Sequence, residues 1–138
     1  MERTLVILKP DAGERRLVGR LIARFEDAGF AIVGLRQEHL TREQAAAFYA
    51  EHAGKPFFDN LVDFVTRAPV VVLALERDSA VERARQIIGA TDPFEAAPGS
   101  IRADFGLTKT FNTVHGSATL EDAEREVAFF FPPEGDGP

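Results

Sequence analysis

The chain has 138 residues, of which 45% are hydrophobic and 28% charged, with 22 acidic against 16 basic side chains and a formal charge of −6. That is the composition of one globular domain, 1–138, and without cysteine it excludes a disulfide scaffold, a thiolate metal site and a cysteine nucleophile. No apolar run approaches the ~18 residues of a membrane span, the start Met-Glu-Arg-Thr-Leu lacks the basic start and apolar core of a signal peptide, and the acidic balance disfavours generic binding to nucleic acid, so a reducing cytoplasm is the expected location.

Residues 4–8 form a continuous apolar, β-branched run that reads as a buried strand. Lys9 to Gly13 follow as a turn-rich loop. Over residues 17–28, Leu17, Val18, Leu21, Ile22, Phe25 and Ala28 share one helical face, and Gly29 ends the helix. Phe30 to Leu35 read as a second strand. Thr41 and Gln44 have capping-box spacing, which starts a helix that Gly54-Lys55-Pro56 breaks. A helical turn is expected around Leu61 to Thr66. Pro69 to Leu75 is the third strand. Ser79 and Glu82 suggest a second capping box, opening a helix through Ile88 that Gly89 terminates.

Residues 89–119 show little periodicity. A loop of that length inside a compact domain is usually functional, and its Ile101, Phe105, Phe111 and Val114 argue against disorder. A short strand is possible near His115. Residues 120–131 return to helix behind Thr119, and residues 132–138 form a tail expected to be extended and mobile. The order is that of two β-α-β units with an inserted helical pair, an α+β sandwich of the split β-α-β kind.

No phosphate-cradling glycine loop or nucleophile-elbow serine is present, so chemistry must rest on individual side chains. His115 lies in Asn112-Thr113-Val114-His115-Gly116-Ser117, where Gly116 allows close backbone approach. A histidine there can be a nucleophile, a base or a loop residue satisfying a local hydrogen bond. His39 and His52 read as surface residues. Lys9 ends a buried strand, either to bind phosphate or to snorkel. Arg85 and Arg102 flank the loop that carries Thr91, and guanidinium forks suit phosphate oxygens, although Arg85 could equally pair with Glu82. Of Phe57 and Phe58, one is expected in the core and one exposed enough to stack on a nucleobase. Glu124 and Glu126 flank the apolar face of the last helix, and helical geometry does not choose which of them orients a catalytic histidine.

Taken together, Lys9-Pro10-Asp11, Tyr49 with Pro56-Phe57-Phe58, Gly89-Ala90-Thr91, Pro98 through Phe105, and Asn112 through Ser117 resemble the nucleoside diphosphate kinases, from Arg3 to about Phe131 in the family's order and spacing. The resemblance implies a ferredoxin-like fold with a four-stranded antiparallel sheet. It implies transfer of the terminal phosphate of a nucleoside triphosphate to a nucleoside diphosphate, ping-pong through a phosphohistidine, with low base specificity. His115 matches the nucleophile, attacking through Nδ1. Glu126 matches its supporting acid and Ser117 a residue near that acid. Lys9 and Arg102 match groups on the phosphate in flight, while Arg85 and Thr91 match contacts to the inner phosphates. Asn112 matches a ribose contact, Phe57 the stacking ring, Tyr49 a residue beside the histidine, and Gly116 the motif glycine. Mg²⁺ is expected to arrive on the nucleotide, with no direct protein ligand. A homo-oligomer is implied, a hexamer rather than a tetramer, with no membrane or specific nucleic-acid partner. Two positions depart from the family pattern: Ala118, where aspartate is common, and Lys109, where an aliphatic residue is common. A nucleotide-binding module that has lost turnover is the alternative reading.

Overall fold

Glu2–Leu8 forms β1, and Leu5, Val6, Ile7 and Leu8 are all essentially inaccessible. The cause is its central position. In the computed structural model, which describes residues 1–90, 92–106 and 113–132, β1 pairs on one side with β3 (Val70–Arg77) and on the other with β4 (Val114–Gly116). With β2 (Ala31–Glu38) outside β3, the sheet order is β2-β3-β1-β4 and every pairing is antiparallel. This is the ferredoxin-like arrangement.

Both faces of the sheet are covered, so alternate residues of β1 enter different cores. Val6 and Leu8 pack with Leu21 and Phe25 of α2 (Val18–Asp27) and with Ala84 and Ile88 of α5 (Ala80–Ile88). Leu5 and Ile7 pack with Phe48 of α3 (Arg42–Phe48), Val62 and Val65 of α4 (Phe58–Thr66) and Phe130 of α7 (Leu120–Phe130). The Thr41–Gln44 capping box forms in full, and Thr119 accepts the Asp122 backbone N–H at the start of α7. Gly29 sits at φ +89°, a conformation that stops α2 at little cost to a residue without Cβ.

Four local expectations are corrected. Pro10–Glu14 is a short helix, α1, because Pro10 presets φ and starts the turn, and the Leu17 N–H returns to the Ala12 carbonyl. Ser79 does not cap α5: its φ of +53° turns the hydroxyl away from that role, and Glu2 Oε1 accepts the Val81 N–H at 2.9 Å instead. Residues 101–105 of the long loop are helical, α6 (Ile101–Phe105), started by Ser100, whose hydroxyl accepts the Ala103 N–H. The fourth helix begins three residues before Leu61, at Phe58. The expected tail beyond Pro132 lies outside the described residues.

Candidate active site

β4 has only three residues, and its register decides the site. His115 stands opposite Ile7 of β1 and Val114 opposite Leu8. The two therefore face opposite layers: Val114 joins the α2/α5 core, and His115 turns toward α3 and α7. Its ring meets Phe48 and Tyr49 edge-on, with centroids 5.4 and 5.9 Å away. One imidazole nitrogen, Nε2, lies 2.9 Å from Glu126 Oε1. That carboxylate is 3% exposed, and it also accepts the Ser117 hydroxyl at 2.9 Å. Ser117 in turn fastens β4 to β1, where the Leu5 N–H reaches its Oγ at 3.2 Å. The choice that the helix period leaves open falls on Glu126 for this contact.

A bond donated from Nε2 to a carboxylate places the imidazole proton on Nε2 and leaves the Nδ1 lone pair free. That is the state a histidine nucleophile needs.

Lys9 and Arg102 are tied to the same strand. The Lys9 N–H donates to the Thr113 carbonyl at 2.8 Å, and Arg102 donates to the carbonyls of Gly89 at 3.0 Å and Val114 at 2.8 Å. Burial drives the Lys9 ammonium down to about 7, the nearby Arg102 charge adds to this, and Asp11 opposes it. Arg102 is lowered to about 10, by burial and then by Arg85. Three cations are thus crowded into one region, which favours an anion between them. Arg102 Nε and the Tyr49 hydroxyl are buried with no hydrogen-bond partner among the described residues. Burial, reinforced by Glu126, raises the Tyr49 phenol far above its ordinary value, so it remains a neutral donor.

The rings continue outward from Tyr49. His52 stacks on it at 6.3 Å and meets Phe57 at 5.3 Å. Phe57 is 45% exposed, whereas Phe58 packs against the core. The Lys55 ammonium lies 5.9 Å from the Phe57 ring. His52, read as a surface residue, is half-buried between two aromatic rings. His39 is exposed, with Nε2 2.7 Å from the Thr66 carbonyl. Arg85 is exposed on α5. A Cβ on Gly116 would fall 2.6 Å from Ile88 Cδ1, the tip of a side chain on α5. Thr91, Asn112 and Lys109 lie outside the described residues.

Two functional candidates escaped the reading of single residues. Asp11 is 3% exposed and Thr113 is inaccessible, and the Thr113 hydroxyl donates to Asp11 Oδ2 at 2.9 Å. They are 102 residues apart. Asp11 stood in the Lys-Pro-Asp segment, but no local pattern marks Thr113.

A model of the nucleoside diphosphate kinase family matches residues 2–135. The nucleoside diphosphate kinase of Aquifex aeolicus superposes with a TM-score of 0.92 at 46% identity, over 94% of each chain. That of Encephalitozoon cuniculi superposes with a TM-score of 0.94 at 34% identity, over 97% of this chain and 91% of its own. The Halobacterium salinarum nucleoside diphosphate kinase, solved in complex with CDP, gives 0.92 at 44% identity, over 96% of this chain and 89% of its own.

Proposed function

The chain belongs to the nucleoside diphosphate kinase family, and from that premise we propose that His115 Nδ1 carries the phosphoryl group between its two nucleotide substrates. The enzyme transfers the terminal phosphate of a nucleoside triphosphate to a nucleoside diphosphate. In the first half-reaction the Nδ1 lone pair attacks the γ-phosphorus. The N–P bond forms, the bond to the β,γ-bridging oxygen breaks, and the nucleoside diphosphate leaves with that oxygen. An acceptor diphosphate then attacks the phosphohistidine, and the lone pair returns to Nδ1. The observation that carries this reading is the 2.9 Å contact from His115 Nε2 to Glu126 Oε1, which in the neutral imidazole puts the proton on Nε2 and the lone pair on Nδ1.

Such transfer depends mainly on positioning and charge neutralisation. Lys9 and Arg102 are assigned to the phosphate in flight, supported by their links to the strand that carries His115. Tyr49, edge-on to the His115 ring, is assigned to packing beside the nucleophile. Arg85 and Thr91 are assigned to the inner phosphates, Asn112 to the ribose, and Phe57 to the base. Ser117 and Gly116 shape the strand. Among the described residues no three His, Asp or Glu side chains gather into a metal-binding group. Mg²⁺ is proposed to arrive on the nucleotide, where it would neutralise phosphate charge.

The edge strand β2 exposes Val33 and Leu35, which supports a homo-oligomer, and a hexamer is the assembly proposed. Among the described residues no helix is long and apolar enough to cross a membrane, and a cytoplasmic location is proposed.

Incubation with γ-labelled ATP and Mg²⁺ tests the reading. Acid-labile, alkali-stable label on His115 that moves to added GDP is expected, and the His115→Asn variant should bind nucleotide without taking up label. Tight ATP binding by the wild-type chain with no label would leave only a nucleotide-binding module.

A further inference from the structure

The Thr113 backbone adopts φ +79°, deep in the left-handed region, with no exposed surface. For a β-branched residue this conformation is strongly disfavoured, and it persists only where surrounding contacts dictate it. Two contacts do so. The Thr113 carbonyl accepts the Lys9 N–H at 2.8 Å, and its hydroxyl donates to Asp11 Oδ2 at 2.9 Å. Asp11 is itself buried, with Arg15 3.9 Å away and Oδ1 unpartnered among the described residues. Phe105 adds a third anchor, since its carbonyl lies 3.3 Å from the Thr113 hydroxyl and also accepts the Arg15 guanidinium.

This clasp joins the residues after β1 to the entry of β4. Lys9 stands on one side of it and His115, two residues past Thr113, on the other. β4 has three residues and one mapped neighbour; Ser117 ties its far end to Leu5, and the Thr113 clasp ties the entry, next to Lys9. We infer that the Thr113–Asp11 hydrogen bond is a positioning device for phosphoryl transfer, setting the separation between the Lys9 ammonium and the His115 imidazole. Thr113 touches neither substrate nor phosphate. It acts through the two residues that do, and the inference rests on the assignment of His115 and Lys9 given above.

The geometry explains why a hydroxyl is needed where the backbone alone would favour glycine. Glycine would adopt φ +79° freely, but it could not hold the carboxylate on α1 (Pro10–Glu14).

The test is rapid-quench measurement of His115 labelling from γ-labelled ATP, with ADP affinity from calorimetry and folding from thermal melts. Thr113→Val keeps the shape and removes the hydroxyl. Its labelling rate should fall about 10- to 100-fold, the scale expected of a misplacement near 1 Å. ADP affinity should change less than about threefold, and Thr113→Ser should restore the rate to within about threefold of wild type. If Thr113→Val does not fold, Thr113→Gly carries the same measurement without the backbone constraint. A folded Thr113→Val or Thr113→Gly enzyme that labels at the wild-type rate overturns the inference, whatever its melting temperature. Failure of both to fold also overturns it, in favour of a purely structural bond. A wild-type chain that takes up no label sinks the assignment of His115 instead.

Discussion

Glu126 Oε1 accepts both His115 Nε2 and the Ser117 hydroxyl at 2.9 Å, so one buried oxygen fixes the imidazole tautomer and the end of β4 together. Glu126→Ala should therefore lower the rate of His115 labelling about 100-fold, because the ring loses both its orientation and its proton assignment. The KM for nucleotide should change little, since the carboxylate bonds Nε2 while transfer is assigned to Nδ1. Rapid-quench and steady-state kinetics on the same preparation check the split. A rise in KM at unchanged turnover would contradict it.

Lys9 gives the reaction an alkaline limit. Its ammonium titrates at about 7 in the nucleotide-free fold, with burial the main cause. The value of kcat/KM, which reports the free enzyme, should fall as pH rises through that range. The limb in kcat should lie at higher pH, because bound polyphosphate charge raises the Lys9 pKa. The stability effect has a definite sign. Between about 7 and the ordinary lysine value of 10.5, the unfolded chain holds a proton that folded Lys9 lacks, so stability rises with pH across that window. Lys9→Met should raise the melting temperature most at and below neutral pH, with the gain shrinking toward pH 10.5. A gain that grows with pH would contradict this account.

Phe57 offers a ring face with no hydrogen-bonding code. Phe57→Ala should weaken nucleotide binding by the stacking free energy, about 1–3 kcal/mol, or roughly 30-fold in KM at its centre. Steady-state assays with ADP, GDP, CDP and UDP should show losses within a few-fold of one another. A loss confined to one base would indicate edge recognition instead.

Arg102 cannot be exchanged for lysine. Its guanidinium spans the Gly89 and Val114 carbonyls, 3.0 and 2.8 Å away. An ammonium cannot satisfy both carbonyls and a phosphate in that fixed plane. Arg102→Lys should cost about 100-fold in turnover, the scale of one lost transition-state donor.

Ala118 is exposed beside the end of β4, one residue past buried Ser117. Restoring an acid there with Ala118→Asp should change turnover by no more than about twofold, as for other surface substitutions. A many-fold gain would give the missing carboxylate a role in handling the metal–nucleotide complex.

The parts of this fold that were legible in the sequence are those with local causes. β1 and β3 were visible as apolar β-branched runs, α2 as a helical stripe, and the starts of α3 and α7 as Thr41 and Thr119. The parts that were not legible depend on long-range partners. α5 is capped by Glu2, 79 residues before the N–H it accepts, so the Ser79–Glu82 spacing pointed to the wrong acceptor. α6 has five residues, too few for a period to register. His115 stood out because its motif resembles a family. Its contact to Glu126, in preference to Glu124, follows from the way α7 lies on β1 and β4, which helix periodicity does not encode. Thr113 looked ordinary because its partner is distant in sequence and its backbone angle has no signature in residue type.

The placement of His115 on β4 also bears on how the enzyme fails. β4 is the shortest strand and lies at one end of the sheet order, joined to β1 by three residue pairs. Elements with few ladder contacts open at lower free energy than the whole molecule. Peeling of this strand would remove His115, the proposed nucleophile, from Glu126 while the other three strands remain paired. On warming, loss of phosphate uptake should therefore precede loss of the far-ultraviolet circular dichroism signal. Amide exchange at Val114 and Gly116 should run ahead of exchange in β1 and β3. The working lifetime of the enzyme would then be limited by a local detachment at its catalytic edge, well before the two cores lose their packing.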